Sequence, residues 1–315
     1  MNHNIAVVIV TFCSRDLIAQ CLQSVIDEDV TDIWVVDNAS TDDTVDYVNT
    51  HFPQVNLIAN AENIGFAAAN NMAIRQIEGK DILFLNPDAW LTDGALAAMR
   101  QALEANQDVA MVGPRVIRQG EVEPTLLEAP RFFTSWMFIL TGMRAMNTGG
   151  FAGKVVQGFP WRRVTEGEHI RGSCMLVRCK ALEEVGLMNE LFFLYFEETE
   201  WCLRFRQHDW KIVIEPKALA HHIGKASVGT QNALPSLEFM RSAVLFWKVN
   251  NTWVEHAFLR STLFLMALTK CLLLLPFSAE KHRRGWLLNV AGLALNPFRM
   301  PIVYHQARRP SAWMK

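Results

Sequence analysis

Asp81-Ile82-Leu83-Phe84-Leu85-Asn86-Pro87-Asp88 reads as a strand that stops abruptly. Four apolar residues in a row are the pattern of a strand covered on both faces, as in a parallel sheet. Pro87 ends the hydrogen-bond ladder and leaves Asp88 at the strand's C-terminal edge, where open α/β sheets bind their ligands. A single acid there, with an amide two residues earlier, suits a divalent cation and a phosphate-bearing ligand. The plain alternative is a turn acid behind a proline.

On the N-terminal side, Ile5 to Val10 is a β-branched run, followed by the turn Thr11-Phe12-Cys13-Ser14 with Ser14 as a plausible N-cap. Leu17, Ile18, Cys21, Leu22, Val25 and Ile26 then recur at helical spacing. Ile33–Val36 predicts a second strand and Val55–Ala59 a third, with a helix between them that turns Val45 and Val48 inward. Asn63-Ile64-Gly65-Phe66 leads into a helix over Ala67–Ile77. On the C-terminal side a helix is predicted over Asp93–Glu104 and a strand over Val109–Val112, ending on Gly113-Pro114. Strands alternating with helices argue for βαβ units and a mostly parallel sheet. Asp37, Asn63 and Asp88 gather at one sheet edge, which chance explains less readily than any one of them.

Residues 115–169 are irregular, with Gly142, Gly149, Gly150, Gly153 and Gly158 among Phe132, Phe133, Trp136, Phe151, Phe159 and Trp161. They read as a loop-rich insertion that covers a site or binds an acceptor, or as a plain surface excursion. His169–Val177 passes through Gly172-Ser173 into a strand, and Lys180–Val185 is a short helix closed by Gly186. The apolar run Phe192–Phe196 precedes Glu197, Glu198 and Glu200, and Glu200 pairs with Arg204 one helical turn on. Lys211–Glu215 and Ala218–His222 predict two more strands.

The chain has 315 residues, half of them apolar, enough for one large domain or two smaller ones. Its net charge of −2 is unevenly spread: residues 236–315 carry eleven Lys/Arg against three Asp/Glu. The apolar stretches Ala257–Phe277 and Gly285–Phe298 are interrupted by Arg260, Lys270 and Pro276, which reads as too broken for a spanning helix. Trp247, Trp253, Trp286 and Trp313 interleave with basic residues, as in amphipathic helices on an anionic membrane surface; a packed helical subdomain or a homodimer interface is the alternative. Six cysteines without metal-ligand spacing, and an N-terminus without a charged, cleavable leader, lead us to expect reduced thiols and a cytoplasmic protein. The domain expectation is a catalytic body over 1–235, made of a nucleotide-binding half (1–114) and an acceptor half (115–235), then a helical tail over 236–315.

These elements, in this order, resemble glycosyltransferase family 2 with its nucleotide-diphosphosugar (GT-A) fold, and within it the rhamnosyltransferase-like enzymes of bacterial polysaccharide assembly. The resemblance covers roughly residues 5–228 and rests on several motifs in sequence. Val10-Thr11-Phe12 matches the opening motif. Val36-Asp37-Asn38-Ala39-Ser40 with Asp42 and Thr44 matches VDNxSxDxT, which implies that Asp37 binds the donor base. Asn63-Ile64-Gly65-Phe66-Ala67 with Asn70 matches NxGFAxAxN beside the nucleotide and sugar. Asn86-Pro87-Asp88 stands for DxD, with Asp88 as metal ligand and Asn86 in place of the first acid. Gly172-Ser173 and Met175–Arg178 look like the acceptor-side strand, and Phe196–Arg204 looks like FEDxDLCLR, with Glu198 and Glu200 each in place of an Asp. His222-Ile223-Gly224-Lys225-Ala226-Ser227 resembles HxxGxS.

The resemblance implies Mn²⁺ or Mg²⁺ held by Asp88 with His222 as a second ligand, and a base, Glu198, for the acceptor hydroxyl. Glu197, Glu198 and Glu200 are expected to raise one another's pKa. One base and no carboxylate nucleophile imply single displacement with inversion, by analogy with hydrolases. The implied partners are a nucleotide-diphosphosugar, with dTDP-rhamnose leading, and a glycan or polyprenyl-linked acceptor at the inner membrane face. No nucleic acid is expected. Two alternatives stand beside this reading. A nucleotidyltransferase usually has a Gly-rich basic loop after its first strand, which Thr11-Phe12-Cys13-Ser14 is not. The other is a non-catalytic, membrane-docked scaffold on the same fold.

Overall fold

A computed structural model describes residues 4–123, 125–127, 130, 132, 135, 139, 165–224, 234–277 and 281–296. The chain divides into two compact units. The first comprises Met1–Ala129, Val155–Glu190 and Glu197–Thr230; the second comprises Pro130–Lys154, Leu191–Phe196 and Gln231–Lys315.

The first unit is built on a ten-stranded sheet. β1 (Ile5–Thr11) pairs in parallel with β2 (Asp32–Asp37) on one side and β4 (Asp81–Leu85) on the other, and β3 (Asn56–Ala59) extends β2. The chain therefore winds outward from β1 in both directions. That makes the gap between the ends of β1 and β4 a topological switch point. Beyond β4 the sheet is mixed. β11 (Cys174–Val177) runs antiparallel between β4 and β6 (Val109–Arg118). β12 (Lys211–His222) lies parallel to β6 and antiparallel to the short β5 (Ala89–Leu91). β7 (Glu121–Glu123) pairs with β6, and β9 (Thr165–Gly167) with β12. β8 (Leu126–Leu127) and β10 (His169–Ile170) form a separate ladder.

Continuous apolar runs follow from this layering, because both faces of β1 and β4 are covered. Val7, Ile9, Leu83 and Leu85 pack with the buried stripes of α1 (Ile18–Asp27) and α4 (Ala95–Ala105). Val8, Val10, Ile82 and Phe84 pack on the other face with α3 (Phe66–Ile74), α5 (Cys179–Val185) and α6 (Glu197–Gln207). Trp201 of α6 meets Phe84 edge-on at 5.5 Å and donates its indole N–H to the Gly186 carbonyl at 2.8 Å, which fixes α6 against the sheet. Burial of either ring contributes about 1.5–3 kcal/mol.

Several elements differ from expectation. Ser14 does not cap α1 with its side chain. Its hydroxyl donates to the Phe12 carbonyl and its N–H donates to Thr44 Oγ1, at the start of α2 (Thr44–His51), while its carbonyl receives the N–H groups of Leu17 and Ile18. β6 does not stop at Gly113-Pro114 but runs on to Arg118, because β12 continues the pairing with Arg115, Val116 and Ile117. The two strands expected over 211–222 are one. Its register against β6 slips between Glu215 and Leu219, around Pro216, which has no N–H to give the ladder. The start of the supposed insertion is a β-hairpin, β6–β7, turned by Gln119 (φ 52°) and Gly120 (φ 83°). The other expectations for that insertion, including Phe133, Trp136, Phe151, Phe159 and Trp161, lie outside the described residues.

The second unit contains α7 (Leu234–Asn250), α8 (Trp253–Leu273) and α9 (Lys281–Leu295). Thr252 and Glu255 form a reciprocal capping box at the start of α8. Arg260 near that start donates to the carbonyls of Ala294 and Leu295, and Arg284 donates to Leu275, so α8 and α9 run antiparallel. Leu259, Leu263, Ala267 and Cys271 form the buried stripe of α8. In α7 the buried Arg241 and Glu238 are paired by bonds of 2.5–2.9 Å. Arg260, Lys270 and Pro276 predict a region too interrupted to span a bilayer. The 21-residue α8 is nevertheless long and apolar enough to do so by length and composition.

Candidate active site

Asp88 sits in the turn between β4 and β5, and strand register gives it its neighbours. β5 pairs Ala89 with His222 and Trp90 with His221. The Ile223 N–H then reaches the Asp88 carbonyl, and the Gly224 N–H donates to Asp88 Oδ2 at 3.1 Å. Alternation along β12 separates the two histidines. His221 stacks on Trp90 at 5.1 Å, whereas His222 turns Nε2 to within 3.2 Å of Asp88 Oδ1.

The other ring nitrogen of His222 faces Glu123 Oε2 at 3.5 Å. Glu123 was not anticipated. It lies at the end of β7, brought round by the Gln119-Gly120 turn, and its Oε1 accepts from Arg171 at 2.8 Å and Arg118 at 3.3 Å. The residue pair at that turn, flanked by extended residues, was the signal for it in the sequence. Burial alone would raise the carboxyl pKa values of Asp88 and Glu123. The adjoining imidazole and N–H donors, joined by guanidinium groups at Glu123, outweigh it and hold both below their ordinary values. Burial alone would lower His222; the two carboxylates outweigh it and raise its pKa to about 9.

The Asp88–His222 pair fits a divalent cation. A carboxylate oxygen and an imidazole nitrogen converge, and a second carboxylate faces the far ring nitrogen at 3.5 Å, the side from which a metal-bound histidine is usually supported. Among the described residues no group of three or more His, Cys, Asp or Glu forms a closed cage. Two protein ligands suit an ion completed by water and phosphate oxygens.

Ser173 joins this turn to the acceptor-side motif. Its carbonyl accepts from the Asn86 N–H at 3.0 Å, and its buried hydroxyl has no hydrogen-bond partner among the described residues. Neighbouring Gly172 faces Glu198: a Cβ there would lie 3.6 Å from Glu198 Cβ and Cγ. Glu198 is the second residue of α6, and its Oε2 is buried without a hydrogen-bond partner. Burial raises its pKa, against the N–H groups of the helix start and the charge of Arg171. Burial is the largest cause of this shift, ahead of any neighbouring charge. On a helix, Glu197 and Glu200, three residues apart, share a face, and Glu198 points away from both. Burial also raises the pKa of Glu200, opposed by Arg204, which binds both its oxygens at 2.9 and 3.1 Å. Arg204 further donates to the carbonyls of Val185 and Leu187, so this pair ties α6 to the end of α5. Glu197 is buried at the first position of α6.

The donor-side residues collect at the ends of β1 and β2 and the start of α3. Asp37 is 1% exposed, and Ser40 donates to both its oxygens at 2.5 and 2.8 Å, across a left-handed Ala39 (φ 63°). Burial raises its pKa, with Ser40 opposing. Asn38 is a cross-link: its N–H donates to the Thr11 carbonyl, its amide donates to the Gly65 carbonyl, and its Oδ1 accepts from Asn60. Asn63 Oδ1 accepts the Gly65 N–H, and Gly65 (φ 91°) starts α3 at Phe66. Asn70 is buried and donates back to the Phe66 carbonyl. Thr11 keeps a buried Oγ1 without a hydrogen-bond partner among the described residues, and the Asn86 side chain makes no hydrogen bond to them. Asn38, Asn70, Glu200 and Arg204 thus make hydrogen bonds within the fold, whereas Thr11 Oγ1, Ser173 Oγ and Glu198 Oε2 are buried without a hydrogen-bond partner among the described residues.

Residues 6–186 match the family Glycosyl transferase family 2. The chain is 23% identical over 216 residues to the low-salt glycan biosynthesis hexosyltransferase Agl10 of Haloferax volcanii, covering 67% of this chain but only 64% of that relative. It is 26% identical over 283 residues to the N-acetylglucosaminyl-diphospho-decaprenol L-rhamnosyltransferase of Mycobacterium tuberculosis, covering 82% of this chain and 88% of the relative. The solved mannosyltransferase PcManGT from Pyrobaculum calidifontis, in complex with GDP-Man and Mn2+, shares the fold at a TM-score of 0.53 and 16% identity, over 94% of this chain and 88% of its own. That likeness agrees with the switch point between β1 and β4 and with the mixed second half of the sheet, the arrangement of a GT-A fold. With the family match spanning more than half of its length, the chain belongs to glycosyl transferase family 2 and is a glycosyltransferase.

Proposed function

We propose that this enzyme transfers a sugar, with inversion and with help from a divalent cation, from a nucleotide diphosphate to a hydroxyl of a lipid-linked glycan. The observation that carries the reading is the Asp88–His222 pair, 3.2 Å apart at the switch-point edge of the sheet and joined through Asn86 and Ser173 to the segment facing Glu198. A bound Mn²⁺ or Mg²⁺ supplies Lewis-acid neutralisation of the leaving diphosphate. Asp88 and His222 hold it, with Glu123 behind the ring. Glu198 accepts the proton of the acceptor hydroxyl at its free Oε2; its raised pKa suits a base working near neutral pH. Asn86 and Thr11 offer uncharged hydrogen bonds to the donor, and Asp37 keeps lone pairs for its base.

L-rhamnose is the leading sugar and a polyprenyl-diphosphate-linked saccharide the leading acceptor, on the likeness to the mycobacterial relative. The apolar, basic helices of the second unit support work at the inner membrane face. The test is nucleoside-diphosphate release from a panel of nucleotide sugars, with Mn²⁺ and a lipid extract. Release from dTDP-rhamnose alone supports the reading, and no release from any donor overturns it.

A further inference from the structure

We propose that Glu123 is a positioning residue that aims His222 at the cation and, through Arg171, ties the cation end of the site to the segment bearing the base. The inference rests on the reading of Asp88 and His222 as cation ligands.

Glu123 is 9% exposed and is the shared neighbour of three cationic or ring nitrogens. Its Oε2 faces His222 Nδ1 at 3.5 Å, which leaves Nε2 turned toward Asp88. Its Oε1 takes Arg171 at 2.8 Å and Arg118 at 3.3 Å. The Arg118 branch returns to the start. Its guanidinium packs so closely on Gly224 that a Cβ there would lie 2.7 Å from Cζ, and the Gly224 N–H donates to Asp88. Asp88, His222, Glu123, Arg118 and Gly224 thus form a closed ring around one carboxylate pair. The Arg171 branch leads the other way. Its N–H is fixed by the Thr125 carbonyl at 3.0 Å, and it immediately precedes Gly172, the residue against Glu198. A neutral amide in place of this carboxylate keeps the shape but cannot compensate two guanidinium groups and an imidazole together.

The test is Mn²⁺ affinity of the full chain, read by electron paramagnetic resonance without donor or acceptor, so turnover does not enter. Carboxylates behind metal-bound histidines typically matter by 10–100-fold in affinity. Glu123→Gln is expected to weaken Mn²⁺ binding about tenfold, and Asp88→Asn to abolish it. In the His222→Gln background, Glu123→Gln should have no further effect, because its action passes through that ring; a general packing role would add instead. Wild-type affinity in Asp88→Asn would overturn the cation-site reading itself. Loss in Asp88→Asn with wild-type affinity in Glu123→Gln, or additive losses in the double variant, would overturn only the role of Glu123. If Glu123→Gln does not fold, Glu123→Asp, which keeps the charge one methylene short, carries the same cycle.

Discussion

His222 Nε2 lies 3.2 Å from Asp88 Oδ1 because β5 pairs Ala89 with His222. The contact is a property of strand register, and a slip of one residue would turn His222 to the opposite face and bring His221 in its place. The side chains that hold the cation in our proposal thus depend on a three-residue strand.

Asp88 and Asn86 should respond differently to substitution. Asp88→Asn keeps the volume but removes the charge facing His222, and transfer should be lost. Asn86→Ala removes an amide that bonds to no described residue, so the donor KM should rise while kcat is largely kept. Steady-state kinetics of both variants decide the matter, and equal, mild effects would contradict this division.

Glu198 and Glu200 separate in the same way. Glu198→Gln should lower kcat about 10²–10⁴-fold, with donor KM little changed. Glu200→Gln breaks a nearly buried ion pair that ties α6 to the end of α5, and should cost about 3 kcal/mol of stability. Thermal unfolding alongside kinetics tests both. A Glu200 variant of normal stability that had lost activity would move the base to that position.

Much of this was legible in the chain because the information was local. The runs at Ile5–Thr11 and Asp81–Leu85 are buried almost throughout, and the motif Asn86-Pro87-Asp88 stands at the end of the second. What was missed is non-local or depends on which way a side chain turns. Glu123 reaches His222 only through the Gln119-Gly120 hairpin and the β6–β12 pairing, and neither register is written in its own neighbourhood. Asn38 and Asn70 carry motif letters shared with ligand-binding residues, yet their amides are used inside the fold. Arg204 could be paired with Glu200 from spacing alone, but not with the carbonyls of Val185 and Leu187.

Gly65 should not tolerate a side chain. At φ 91° and ψ 170° it occupies a region open essentially to glycine, while its N–H and carbonyl are held by Asn63 and Asn38. Gly65→Ala should lose about 1–3 kcal/mol of stability and weaken donor binding, since relief of the strain moves the Asn38–Gly65 bond. Denaturant unfolding and nucleotide titration measure the two effects.

Acid should destabilise the protein partly through His169. This ring is 6% exposed; burial first, then the nearby Arg171, push its pKa down to about 4. With a folded pKa below the unfolded value of about 6.5, the unfolded chain binds the extra proton between those limits. The contribution of the neutral ring is complete above pH 6.5 and is lost as pH falls toward 4, up to about 3 kcal/mol. His169→Gln should flatten stability across that window, and an unchanged slope would refute the assignment.

The α8–α9 hairpin should bind anionic vesicles in a salt-sensitive way. Trp253, Leu265, Leu272, Leu273, Leu275 and Phe277 are exposed, with Lys270 and Arg283 exposed beside the end where α8 gives way to α9. Apolar side chains that enter the headgroup region, together with cations at its surface, give adhesion of about 1 kcal/mol per basic residue. Reversing both charges, Lys270→Glu with Arg283→Glu, should therefore weaken partitioning into phosphatidylglycerol vesicles at least tenfold. It should barely affect neutral vesicles, and about 0.5 M salt should release the wild-type protein. A span through the bilayer predicts the opposite, retention at high salt and extraction only by detergent. Co-sedimentation under these conditions distinguishes a helix lying on the surface from one that crosses, which the length and composition of α8 alone do not.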